Sequence, residues 1–114
     1  MNWQIDFYSD KEGNEPVNDF ICAQSPSAQA EILHVIDLLQ EFALALGLPY
    51  VKKIGKSGIR ELRIHHGSDY YRIFYFAFTG RRFVLLHAFL KKTKKTPNRE
   101  IEIALKRMDD YKLR

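Results

Sequence analysis

The sequence predicts an α+β fold: a small, mainly antiparallel sheet with two N-terminal helices and a C-terminal helix. Apolar residues alternate with a period of two near the start and in three runs after residue 58, and recur at spacings of three and four in segments 16–47 and 97–112. The strand-like runs are joined by tight turns and the helical segments lie apart from them, which is the pattern of α+β proteins rather than of βαβ repeats.

The first element is "NWQIDFY", in which Trp3, Ile5 and Phe7 alternate with Gln4, Asp6 and Tyr8 as in a half-buried strand. "SDKEGN" turns. Val17, Phe20 and Ile21 then sit at helical spacing from Pro16 to about Ala23, and Pro16 suits a first turn, where its missing N–H has no partner to lose. "SPSAQAEILHVIDLLQEFALALG" predicts a long amphipathic helix. Ser25 is its cap, Pro26 its first turn, Ile32, Val35, Ile36, Leu39, Ala43 and Leu46 its apolar face, and Gly47 its stop. The Pro and Gly residues of "LPYVKKIGKSG" predict a basic loop.

"IRELRIHH" predicts a strand with Arg60, Leu62 and Ile64 on one face and Glu61, Arg63 and His65 on the other. "GSD" turns into "YYRIFYFAF", and "TGR" turns into "RFVLLHAFLKK". These last two strands are apolar on both faces, so they belong at the centre of the sheet with helix on at least one side. Thr96 is placed to cap a final helix opened by Pro97, whose stripe is Ile101, Ala104, Leu105 and Met108.

Composition narrows the function. The chain has 114 residues, 46% of them hydrophobic and 13% aromatic, which suits one packed domain spanning 1–114 and argues against disorder. One cysteine, Cys22, rules out an internal disulfide, no segment has the layout of a secretory leader, and the apolar runs are too short to cross a bilayer. A cytoplasmic protein without membrane association is the expectation. The net charge is +4 and unevenly distributed: between Tyr50 and Pro97 only Glu61 and Asp69 oppose many Lys and Arg. An anionic partner fits this balance.

Metal chemistry has no support in the spacing of His34, His65, His66 and His87, and adjacent His65 and His66 would point to opposite faces of a strand. No cofactor is expected: there is no Gly-rich phosphate loop, nucleophile elbow or redox cysteine pair, and "GKSG" at 55–58 lacks the phosphate-loop spacing. What remains is basic. Arg63, Arg72, Lys91 and Lys92 come from neighbouring strands or their ends, Lys94 and Lys95 extend them, and Tyr70, Tyr71, Tyr75 and Phe89 lie among them. Cations interleaved with aromatic rings suit single-stranded RNA, although a lysine run at a strand end is also how a sheet keeps its edge solvated. Arg72, in the middle of an apolar strand, must either pair with a carboxylate such as Glu61 or face a cleft that takes an anion. His87 is either a core histidine bonded to its neighbours or a general base.

"LPYVKKI", "GIRELRI", "YYRIFYF", "FVLLHAFLKKTKKTP" and "REIEIALKRMDDY", in this order and after "FYSDKEGNEPVNDFI", resemble the RelE/ParE toxin superfamily, in particular its HigB-like, phage Gp49-related branch. The resemblance implies a RelE-like fold with a small twisted sheet, and a toxin of a type II toxin–antitoxin pair. Such a toxin is an endoribonuclease that cuts messenger RNA on the ribosome and is neutralised by a helix-turn-helix, HigA-like antitoxin. Cleavage of this kind needs no metal: the ribose 2′-OH attacks the adjacent phosphate while basic groups stabilise the charge and move protons. By position, Arg72 matches the strand arginine that stabilises the phosphate, and Arg63 faces the same cleft. Lys92, with Lys91 beside it, matches the basic residue that contacts the phosphate or the leaving oxygen. Lys94 and Lys95, with Arg60 and Tyr71, would bind RNA. The resemblance departs at Glu61, where some relatives are basic, and past the lysines, where no tyrosine follows. Tyr111 is a distant candidate, and His87 or a lysine would then serve as general base. A ParE-like inhibitor of DNA gyrase and a non-catalytic, phage-derived RNA-binding module are the competing readings.

Overall fold

The computed structural model describes residues 2–114. Strand β1 (Gln4–Phe7) is followed by helices α1 (Pro16–Cys22) and α2 (Pro26–Phe42), strands β2 (Val51–Lys53), β3 (Arg60–His66), β4 (Asp69–Phe78) and β5 (Arg82–Leu90), and helix α3 (Asn98–Lys112). The sheet order is β1-β5-β4-β3-β2; β1 runs parallel to β5 and every other neighbouring pair is antiparallel. The α+β architecture expected from the sequence is what the chain adopts, with one parallel pair.

Both faces of the sheet are covered. Val17 and Ile21 of α1 and Ile32 and Leu39 of α2 pack on Leu62, Ile64, Ile73 and Leu85, with Trp3, Ile5 and Phe7 at the margin. Ala104 and Met108 of α3 pack on Phe74, Phe76, Val84 and Leu86. This double cover explains why Tyr71–Phe76 is a continuous buried run where an open sheet would alternate. Each fully buried Ile, Leu or Phe here contributes roughly 2 kcal/mol. Helix α3 is also fastened by polar contacts: Tyr8 Oη donates to Asp110 at 2.6 Å and Tyr111 Oη donates to Asp6 at 2.7 Å.

Three local expectations change. The segment read as a basic loop contains β2, whose Val51, Lys52 and Lys53 pair with Leu62, Glu61 and Arg60. Three residues are too few to show a period, and the strand exists because β3 supplies its partners. Helix α2 ends at Phe42 instead of Gly47, because Ala43 takes a φ of 52° and a 3₁₀ turn over Ala43–Ala45 follows. Alanine gives no stop signal, so this end is invisible in the sequence. Finally, the residue capping α3 is Pro97, not Thr96; the Thr96 hydroxyl instead donates to Glu61 Oε2 at 3.4 Å. Ser25 does cap α2, its Oγ accepting from the Ala28 N–H at 3.2 Å.

The hairpin joining β3 to β4 turns through Gly67 and Ser68, with Gly67 at a φ of 60°, a conformation that costs glycine little. Its register sets Arg63 opposite Arg72 and His65 opposite Tyr70. Between β4 and β5 the register shifts: Tyr75 pairs with Leu85 and Phe74 with His87, which leaves Leu86 as an extra, bulged residue.

Candidate functional site

Side chains on a strand alternate, so the face of β3 and β4 that carries Glu61, Arg63, Arg72 and Phe74 is the one turned toward α3. Two arginines directly opposite each other would repel. Glu61 lies between them, with Oε1 at 3.3 Å from Arg63 Nε and 3.6 Å from Arg72 Nε. Glu61 is 1% exposed and Arg72 7%; Arg72 is paired with Glu61, and it also lines a cleft. Arg72 Nη1 donates to the carbonyl of Tyr71 at 3.0 Å. Neither arginine Nε has a hydrogen-bond partner among the described residues, so the pairing is electrostatic and incomplete. One carboxylate shared by two guanidinium groups leaves a local excess of positive charge.

The cleft, about 600 Å³, is lined by Arg72, Tyr70, Lys91, Lys92 and Lys94, with Asp69 the one carboxylate among its lining residues. Lys91 continues the β4–β5 ladder by one bond, its N–H donating to the Tyr70 carbonyl at 2.7 Å, which fixes the first lysine of the run beside Arg72. Partial burial pushes the Lys91 ammonium below its ordinary pKa, with Arg72, Arg63 and Lys52 adding to the shift and Glu61 opposing it. A second cleft of about 690 Å³ has Arg72 and Tyr70 as a shared wall and adds Arg63, His65 and Tyr50. A third recess joins Lys91, Lys94 and Lys95 to Lys52 and Lys53 of β2. Nothing local in the sequence singles out those two lysines; only the pairing of Lys52 with Glu61 places them here.

Not every residue expected at the site comes to it. Tyr71, 4% exposed, lies on the opposite face against Phe20, and Tyr75 shares that face. Burial pushes the Tyr75 hydroxyl up to about 12. Arg60 also lies off this face, in a recess with Lys53 and Lys56. Tyr111 sits at the other end of α3, where it bonds Asp6 and accepts from Arg82 at 3.0 Å.

His87 is beneath α3, one row beyond Arg72 and separated from it by Phe74 and Phe89. Its Nε2 lies 2.7 Å from Glu100 Oε1, and Arg107 Nη1 donates to Nδ1 at 3.2 Å. The neutral ring protonated at Nε2 satisfies both partners. Burial, more than any charge, holds its pKa below 6.5; Glu100 opposes the shift and Arg107 adds to it. Because the unfolded chain takes up this proton first, the stability present above pH 6.5 is lost as the pH falls toward the lower folded value. Thermal melts from pH 7.5 to 5 are expected to show a falling Tm, with a shallower fall in His87→Gln; equal slopes would refute this role.

Among the described residues, no three His, Cys, Asp or Glu side chains gather as a metal site would require, and no helix is long and apolar enough to cross a membrane. The family profile described as phage derived protein Gp49-like matches residues 19–109, a stretch running from α1 to α3 and including every basic residue of the clefts. The chain belongs to the Gp49-like family. This family falls within the RelE/HigB-like toxin group and is linked to toxins of toxin–antitoxin systems, so the Gp49-like chain has an antitoxin as its implied partner. No curated protein matches the chain. In this Gp49-like protein the cleft is assembled from the ends of β3, β4 and β5 and from the loop that leads into α3.

Proposed function

We propose that this Gp49-like protein is a metal-independent endoribonuclease that cuts messenger RNA on the ribosome, neutralised by a helix-turn-helix antitoxin of the HigA type. The observation that carries the reading is the charge imbalance at the cleft wall, where buried Arg72 shares one carboxylate with Arg63 and faces a cavity lined by Lys91, Lys92 and Lys94. A buried cation with half a counter-ion is placed to take up negative charge.

In this reading a ribose 2′-oxygen attacks the adjacent phosphorus, the bond to the 5′-oxygen breaks, and the products are a 2′,3′-cyclic phosphate and a 5′-hydroxyl. Arg72 and Arg63 stabilise the charge that builds on the non-bridging oxygens. Lys91, with its lowered pKa, is the group in the cleft suited to exchanging a proton, a role that the two bonds on His87 leave it poorly placed to fill. Lys92 contacts the phosphate or the leaving oxygen, and Lys94 and Lys95 hold flanking backbone.

Primer extension on an abundant transcript after induced expression tests this reading. In-frame cuts with the parent and none with Arg72→Ala are expected. Growth arrest without cuts would transfer the protein to the gyrase-inhibiting class, and absence of arrest to a binding module. The double variant Lys91→Ala, Lys92→Ala is expected to weaken ribosome binding and to reduce the magnitude of the negative slope of log K against log salt by about 1.5, as the loss of two cations from the phosphate cleft requires. An unchanged slope would make the lysines a solvated edge.

A further inference from the structure

One row beyond the arginines, His65 and Tyr70 face each other across β3 and β4, their rings parallel to within 3° and 4.5 Å apart. A cross-strand aromatic pair can do no more than hold a hairpin end together. This pair has a different setting. Tyr70 is 47% exposed, it lines both clefts, and the Arg72 guanidinium lies over its ring, 5.8 Å from the centre, so a base would have to share the ring with that cation. The larger cleft opens where β2 stops: Val51 is the last residue of β2 to pair with β3, at Leu62, so the outer edge of Arg63 and His65 is left to Tyr50 and to Glu31 and His34 of α2. An exposed flat ring, adjoining a cationic row that takes a phosphate, is the geometry by which sheet surfaces hold unpaired bases.

We propose that the Tyr70–His65 stack is a nucleobase subsite, a platform on which one unpaired base of single-stranded RNA lies, on the side of Tyr70 away from His65, while its phosphate rests on Arg72. The phosphate half of this rests on the ribonuclease reading; the stacking half stands without catalysis. The platform offers a π face and no paired donors and acceptors in the plane of a base, so it tolerates any base and favours the larger purines. Tyr70 is a binding residue here, and His65 supports its ring from behind.

The test is anisotropy of a labelled, unstructured oligoadenylate without ribosomes, against an abasic ribose-phosphate oligomer of equal length and charge. Tyr70→Ala is expected to weaken oligoadenylate binding about five- to a hundredfold, with the abasic oligomer and the salt slope unchanged and Tyr70→Phe close to the parent. Equal losses on both oligomers would show that Tyr70 acts only through Arg72 and would overturn the subsite, as would undiminished oligoadenylate binding. The two readings fail separately. Loss confined to oligoadenylate in a protein that makes no ribosomal cuts would keep the subsite and remove the nuclease, whereas ribosomal cuts with no Tyr70 effect on either oligomer would do the reverse.

Discussion

Single-turnover cleavage of ribosome-bound message by Arg72→Ala is expected to fall about a hundred- to a thousandfold, the loss typical of one preorganised donor to a developing oxyanion. The size follows from where Arg72 sits. It is nearly buried, tied to the Tyr71 carbonyl and held beside Glu61, so in the proposed reaction it would meet the phosphate without reorganising and act where water screens little. Arg72→Lys should recover only part of the loss, because a lysine offers a point charge where the guanidinium presents a planar fork. If Arg72→Ala retained parental single-turnover rates on a folded chain, the phosphate would have to lie elsewhere.

The largest effect on stability is expected from Glu61→Ala. It removes the carboxylate that neutralises Arg63 and Arg72, leaves two guanidinium groups facing each other and one of them buried, and cuts the contact to Thr96 that ties the lysine loop to the sheet. Breaking a buried pair in this way costs about 3 kcal/mol or more. Urea unfolding should show a lower midpoint with a similar slope. Combining Glu61→Leu with Arg72→Met should restore much of the stability and, on the proposed mechanism, leave the protein inactive, since apolar replacement of both partners removes the stranded charge together with the cation proposed to bind the phosphate. A midpoint for Glu61→Ala equal to the parent's would mean that solvent in the cleft already neutralises the arginines.

How far the sequence discloses these features depends on the range of the interaction behind each. Helix α2 is legible from Ser25 onward because its cap and its apolar spacing are local, and β4 and β5 because double-sided burial writes a continuous apolar run. The parallel pairing of β1 with β5, the three residues of β2 and the stop at Ala43 depend on tertiary partners or on a backbone angle that alanine does not advertise. In the site, Arg72 and the lysines after β5 stand out as cations beside apolar strands. The sharing of Glu61 between two arginines requires the β3–β4 register, and the two bonds on His87 require knowing which turns of α3 cross β5. Simple alternation along β4 assigns Tyr70 rather than Tyr71 to the face of Arg72, so that distinction is written in the two-residue period of the strand itself.

The bulge at Leu86 works as a parity switch. Phe83 and Leu85 point to the α1/α2 side, and strict alternation would carry positions 87, 89 and 91 to that side as well. The single inserted residue reverses the phase, turning Phe89 under α3 and bringing Lys91 out beside Arg72. The chemistry of the cleft therefore depends on an odd number of residues in one strand, a quantity that no substitution alters. Length changes in β5 ahead of His87 can preserve it only in steps of two.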